Sequence, residues 1–377
     1  MRVYLDNAAT TPLDPSVLEA MMPYLTTHFG NASSIHGHGR ETRSAIEIAR
    51  KKIADLLNTT AAEVFFTSGG TEADNTAIIG AVDHHSIQHV ITSRMEHHAV
   101  LHTIQYLKRL KRIQVHYVDA DHKGNIDHSH LEQLVREYPK ALVSLMHGNN
   151  EISNLIDLTA IGELCHQHES LFHSDTVQTI GHYPLHLFKL PVDFVTGSAH
   201  KFNGPKGIGL LHIKGGTTIF PYMHGGAQER NMRGGTENTA AIVGMAKALE
   251  LAYSRMAEDF KHIEGLKKRM IAGLTEQIPG ILFNGESADL SKSMMHILNV
   301  RLPPSEKNEM LVMNLDIAKI SASAGSACTS GTNIGSHVLE AIGAKEDWGY
   351  VRFSFGRYNT EDEIDYCIQT LVKSIKE

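Results

Sequence analysis

Two hydrophobic periods take turns along the first two thirds of the chain. Ala45, Ile46, Ala49, Ile53, Leu56 and Leu57 recur at three- and four-residue spacing, the apolar stripe of a helix. Short runs rich in β-branched and aromatic residues follow at Val64 to Thr67, Val90 to Thr92, Val115 to Val118 and Ala141 to Met146, and they read as strands. Helical stretches such as Val100 to Leu110 and Leu158 to His168 separate them. Between residues 40 and 213 this alternation predicts an α/β arrangement, with helices packed on a mostly parallel sheet. After Glu237 the period stays helical to about Glu276. Strand-like runs at Ile297 to Val300, Lys319 to Ser323 and Tyr350 to Ser354 then alternate with helices, the pattern of a smaller α+β unit. The expected division is a large domain over 15–260 and a small domain built from 1–14 and 261–377.

Composition narrows the function classes without naming one. The 377 residues are 42% hydrophobic and 20% charged, ordinary for a soluble chain that buries a large core. A formal net charge of -7 gives no basic footprint, so direct nucleic-acid binding is not expected. No run of about eighteen apolar residues occurs, and Asp6 interrupts the N-terminal stretch where a signal peptide needs apolar residues. A cytoplasmic protein without membrane contact is the expectation. Cys165, Cys328 and Cys367 are too few and too scattered for a disulfide framework. Histidine is frequent, at 25 residues, but no pair has an HExxH context, and no metal is expected.

The candidate chemistry begins at Cys328. It lies among small residues from Ala324 to Gly331, whereas an unpaired cysteine is ordinarily a buried hydrophobe. Such a thiol is placed to react as its thiolate. Cys165 and Cys367 lie in helical stretches and read as core. Lys201 follows a strand-like run, Val192 to Val195, that breaks into small polar residues, and a strand-end lysine is a candidate amine for a carbonyl cofactor. Phe66 to Asp74 passes from a strand through Gly69 and Gly70 into a helix, whose first N–H groups and dipole favour an anion, with the Thr71 hydroxyl beside them. Plain capping by Thr71 is the alternative. Gly204 to Gly209 has the glycine spacing of a dinucleotide fingerprint but precedes a strand instead of opening a helix, so it reads as a turn. Asp175, after the short strand Leu171 to His173, either caps a helix or keeps a pyridinium nitrogen protonated. Anion site, strand-end carboxylate and strand-end lysine together fit pyridoxal 5′-phosphate.

With these blocks the sequence resembles the cysteine desulfurases of the nitrogen-fixation and iron–sulfur cluster assembly type, in the class V aminotransferase family of fold type I. The resemblance covers essentially the whole chain. It rests on Tyr4 to Pro12, Asn31 to Ser34 with His36, Thr67 to Asn75, Glu96 and His97, Asn149 to Ile152, His200 and Lys201, Gly204 to Gly207, Arg233 to Asn238, Ser323 to Ser330, and Arg352 to Ser354. It implies that Lys201 carries pyridoxal 5′-phosphate, that Asp175 pairs with the ring nitrogen and that His97 stacks on the ring. Gln178 and Asn150 are implied near the phenolic oxygen, with Asn150 also bordering the substrate. Thr71, Ser198, His200 and the Gly70 backbone are implied as phosphate ligands, and Thr236 as a ligand to the partner subunit's phosphate, hence a homodimer. Arg352 is implied as the clamp on the substrate α-carboxylate, a surface salt bridge being the alternative.

The implied reaction converts L-cysteine to L-alanine, with Cys328 taking the sulfur as a persulfide for an acceptor protein such as an iron–sulfur scaffold. His97 is the candidate base for the thiol as well as a stacking ring. A selenocysteine lyase and a sulfur-relay scaffold without turnover are the competing readings. Three places depart from the family pattern. Gly148 replaces an apolar residue, Ser153 a glycine, and Asn333, Ile334 and Gly335 the common Leu-Glu-Pro.

Overall fold

In the computed structural model, which describes residues 1–324, 335–345 and 347–376, the chain opens with β1 (Val3–Tyr4), α1 (Pro15–Thr26) and α2 (Gly37–Leu56). The alternation then runs β2 (Val64–Thr67), α3 (Gly70–His85), β3 (His89–Thr92), α4 (His98–Arg109), β4 (Gln114–Tyr117), α5 (His128–Glu137), β5 (Leu142–Ser144), α6 (Leu158–Gln167) and β6 (Leu171–Asp175). Strands β7 (Phe194–Ser198) and β8 (Gly209–Ile213) follow directly, and α7 (Thr239–Gln277) leaves the sheet. The remainder comprises β9 (Leu282–Phe283), β10 (Ile297–Leu302), α8 (Leu311–Ile317), β11 (Ile320–Ser321), α9 (His337–Ala341), β12 (Gly349–Ser354) and α10 (Glu361–Lys376).

The large sheet has the order β2-β8-β7-β6-β5-β3-β4. From β7 to β4 every pairing is parallel; α4, α5 and α6 make the crossovers from β3 to β6, and the helix-free segment 176–193 makes the one from β6 to β7. Strand β8 is antiparallel to both neighbours, because only a turn through Gly204 to Gly209, with no crossover helix, joins it to β7. Successive residues of the strands enter opposite cores. Ile91, Val143, Phe172 and Val195 pack with α2, α5, α6 and the first part of α7, whereas Val90, Leu142, Phe194 and Leu211 pack with α3 and α4.

A separate core forms where the C-terminal part of α7, through Ile263, Leu266, Met270 and Leu274, meets Ile364, Cys367 and Leu371 of α10. Its sheet is β12-β10-β9, antiparallel throughout, and β1 joins β11 in a parallel pair alongside. One continuous helix of 39 residues, α7, is thus common to both cores.

Strand ends differ from the sequence reading for local reasons. Lys319 has a left-handed φ of 64°, so the expected strand from Lys319 begins only at Ile320. The run through Met146 stops at Ser144, and the Met146 N–H instead reaches the Glu96 carboxyl, 2.8 Å away. Cys165 and Cys367 are fully buried in these cores, where burial pushes both thiols far up.

Candidate active site

Strands β2, β6 and β7 run parallel within the sheet, and the chain just beyond their C-terminal ends supplies the functional side chains, the usual edge for a ligand in such sheets. A cavity of about 350 Å³ opens there, closed on the far side by Ala8 and Ala9 and by Arg352 of β12. It gathers Gly70, Thr71, His97, Asn150, Asp175, Gln178, Ser198, His200, Lys201 and Arg352. Thr236 is not among these residues and stands exposed on the loop before α7. Cys328 lies outside the described residues.

At one end, helix α3 starts at Gly70 behind Gly69, a residue with no side chain to cap it. A Cβ on Gly70 would come within 2.7 Å of Val177 Cγ2, and one on Gly209 within 2.6 Å of the Gly69 carbonyl carbon, so both glycines let backbone close up around the helix start. An adjoining open cavity of about 420 Å³ shares Thr71, Ser198 and His200 and extends to Lys206. Uncapped amides, hydroxyls and a lysine suit a phosphate. Arg233 pins this end from outside, its Nε donating to Glu72 Oε1 at 2.8 Å while Glu72 Oε2 accepts from Ser68 N–H at 2.9 Å.

In the middle, Asp175 ends β6 and caps a turn, since no helix follows it. Its Oδ1 accepts from the Val177 N–H at 2.8 Å, and the same buried carboxyl faces the cavity. Burial first, then the charge of Asp74, raises it to about 7. Burial also brings Asp74 to about 7, although Thr196 Oγ1 donates to it at 2.7 Å. Atoms of Asp74, His97 and Asp175 lie within 4.8 Å of one another. Two such carboxyls ionise fully only beside a positive partner, which a protonated ring nitrogen would supply. Lys201 Nζ donates to the carbonyls of Ala8 and Ala9. Burial, then the positive charge of Arg352, lowers this amine to about 8, with Asp175 and Asp6 opposing.

His97 caps α4 with its own ring: Nδ1 accepts from the Ala99 N–H at 3.1 Å. That bond assigns the proton of the neutral ring to Nε2. The ring surface is open to the cavity, yet enough protein surrounds it that burial, then Lys201, lowers it to about 4. The group His97 offers is therefore an N–H donor, and the lone pair needed for the thiol-base role expected from the sequence is committed to the helix start.

At the other end, Arg352 is 3% exposed, which removes the surface-salt-bridge alternative. Its Nη2 donates to Asp6 Oδ1 at 3.0 Å and Nη1 to the Asn150 carbonyl at 2.8 Å, while the buried Nε has no partner among the described residues. Ser323 Oγ also donates to Asp6 Oδ1, at 2.9 Å. Asp6, Glu151, His98 and His337 around this end were given no role from the sequence, although Glu151 fell within the quoted Asn149 to Ile152 block. The quoted Tyr4 to Pro12 block likewise contained Asp6, whose arginine lies 346 residues away.

Ser153 and Gly148, two of the departures, serve one neighbour. Ser153 holds the left-handed φ of 72° usual for glycine, and its Oγ donates to the Met294 carbonyl at 3.1 Å. A Cβ on Gly148 would fall 2.5 Å from Met294 Sδ.

The chain matches the aminotransferase class-V family over residues 3–367. It is 41% identical over 380 residues to the cysteine desulfurase IscS of Clostridium botulinum, covering 100% of this chain and 95% of that protein. It is likewise 41% identical over 378 residues to the cysteine desulfurase IscS of Methanosarcina thermophila, covering 99% and 92%. Among solved structures, a NifS-like protein superposes with a TM-score of 0.91 at 37% identity over the whole of both chains. SspA in complex with cysteine superposes at 0.81 and 30% identity, over 96% of this chain and 100% of that one. With its mostly parallel sheet, its lysine and carboxyl at strand ends and these relatives, the chain belongs to the class-V aminotransferase family, in the branch of the cysteine desulfurases.

Proposed function

We propose that the cavity holds pyridoxal 5′-phosphate on Lys201 with L-cysteine against Arg352, and that the enzyme takes the sulfur from L-cysteine and releases L-alanine. One observation carries the reading: a lysine amine lowered to about 8, a buried carboxyl pair and a buried arginine converge on a single cavity. When bound, the cofactor supplies an electron sink that weakens bonds at the substrate α-carbon.

The chain's own groups do the rest. Amides at the start of α3, with Thr71, Ser198 and His200, anchor the phosphate. Asp175 holds the ring nitrogen protonated, and Gln178 and Asn150 flank the phenolic oxygen. Arg352 holds the α-carboxylate, which brings the α-proton to Lys201 Nζ, and an amine of this basicity can take that proton near neutral pH. His97 covers the ring and donates from Nε2. The sulfur then leaves Cβ for Cys328 Sγ: one C–S bond breaks, one S–S bond forms, and protonation of the remaining carbon gives alanine. Ser323, before the cysteine segment, and Ser336, after it, bond to Asp6 and Glu151 beside the cavity. Incubation with L-cysteine and a thiol reductant should yield alanine and sulfide in equal amounts. Cys328→Ala should yield none while keeping its cofactor, and turnover at the wild-type rate by that variant would sink the persulfide route.

The same proposal includes a homodimer in which Thr236 reaches the partner's phosphate, supported by its exposure away from its own cavity. It includes a protein thiol as sulfur acceptor. It also includes a large domain over 15–260 and a small one from 1–14 and 261–377, supported by the separate cores that meet along α7. A cytoplasmic location is supported by the free Cys165 and Cys367, and no helix among the described residues is long and apolar enough to cross a membrane.

A further inference from the structure

Behind Lys201 two histidines stack. His182, in the segment after β6, and His296, immediately before β10, have ring centroids 4.5 Å apart at an interplanar angle of 22°. Their partners assign the protons. The Lys201 carbonyl only accepts, so His182 Nε2, at 3.1 Å, is a donor. The Gln178 amide is fixed at both ends. Its nitrogen must face the Ala8 carbonyl, 3.0 Å away, which leaves Oε1 to accept from His296 Nε2 at 3.3 Å. His296 Nδ1 is buried without a donor among the described residues, consistent with a neutral ring protonated at Nε2. Gln178 lines the active-site cavity, and its second N–H remains for a ligand there.

The segment carrying His296 is held on several sides. The His296 carbonyl accepts from the Phe355 N–H at 2.9 Å, and the Met295 N–H donates to the Tyr183 hydroxyl at 2.9 Å. The Met294 carbonyl accepts from Ser153 Oγ and, at 2.7 Å, from the fully buried Lys267. Ser153 and Gly148 thus adapt this chain to Met294, two residues before His296.

We propose that His296 is a positioning residue: it holds Gln178 with its amide N–H turned to the phenolic oxygen of the cofactor, so that seating of the 293–296 segment sets the electronic state of the bound ring. The inference rests on the reading of Gln178 given above. A donor to that oxygen withdraws electron density from the conjugated system and lowers the pH at which the visible band of the bound cofactor titrates.

The test is that titration, followed by absorbance in the holoenzyme. Gln178→Leu and His296→Phe should each raise the midpoint by about one pH unit, the effect of one hydrogen bond. The double variant should shift no further than either single, because both act through the one Gln178 N–H. His296→Gln, which offers an amide N–H from the same place, should restore most of the wild-type midpoint. If the larger ring of His296→Phe prevents folding, His296→Leu removes the donor equally well. An unmoved midpoint in His296→Phe or His296→Leu, additive shifts in the double variant, or equal shifts in His296→Gln would overturn the role of His296. An unmoved midpoint in Gln178→Leu would overturn the reading of Gln178 and this inference with it.

Discussion

Lys201 and Arg352 show how far single residues set the behaviour of the site. The Lys201 amine, lowered to about 8, reacts only in its uncharged form, so reconstitution of the apoenzyme with pyridoxal 5′-phosphate should accelerate as pH rises and level off above about 8. Stopped-flow absorbance measures this, and a rate still climbing towards 10 would mean that burial and Arg352 do not depress the amine. Arg352→Ala should keep its cofactor but lower kcat/KM for L-cysteine by about one to four orders of magnitude, from one or two charged hydrogen bonds of roughly 1.5 to 3 kcal/mol each. Lys201 and Asp175 were legible because strand ends and glycine turns mark them locally. The ion pair of Arg352 with Asp6 was not, since only tertiary folding joins residues so far apart in sequence. Nor was the tautomer of His97, which follows from its cap on α4.

At the scale of elements, the loop before α7 holds three consecutive non-glycine residues in the left-handed region, Glu229, Arg230 and Asn231, with φ of 45°, 56° and 68°. Each such residue costs on the order of 1 kcal/mol. The Glu229 carboxylate offsets this by meeting Arg50 in a two-point bond, 2.7 and 2.8 Å, and by accepting from the Phe66 N–H at 2.8 Å. Glu229→Gln leaves Arg50, 2% exposed, without its main counter-charge, and should destabilise the protein by about 3 kcal/mol in urea unfolding. A loss under about 1 kcal/mol would show that Glu47, also bonded to Arg50, suffices. Nothing in the sequence announced this turn, because it contains no glycine or proline at the bend. The antiparallel course of β8 was legible, since the turn read at Gly204 to Gly209 leaves no room for the crossover helix that a parallel neighbour needs.

For the whole molecule, the exposed apolar side chains suit the proposed second subunit. Leu18, Met22 and Leu25 share one face of α1, and Phe29 and Ile35 beyond it are 74% and 89% exposed. Sedimentation should give a dimer at micromolar concentration, and Thr236→Val should speed cofactor loss if that side chain serves the partner's phosphate. A mixed dimer of Lys201→Ala and Thr236→Val subunits retains one lysine site, whose Thr236 comes intact from the other chain, so mixing should restore the cofactor retention that Thr236→Val alone loses. A monomeric, fully loaded enzyme would contradict the shared site.

Helix α7 carries a thermodynamic consequence. Its first part closes one core and its last part closes the other, with no break in the backbone between them. Melting either core strips the packing from half of a rod whose other half is still needed, so each half raises the cost of losing the other. Calorimetry should therefore record one endotherm, and two resolved peaks would mean that the helix frays near its middle before either core gives way. A chain of two unequal lobes would then have the heat-capacity profile of one cooperative unit.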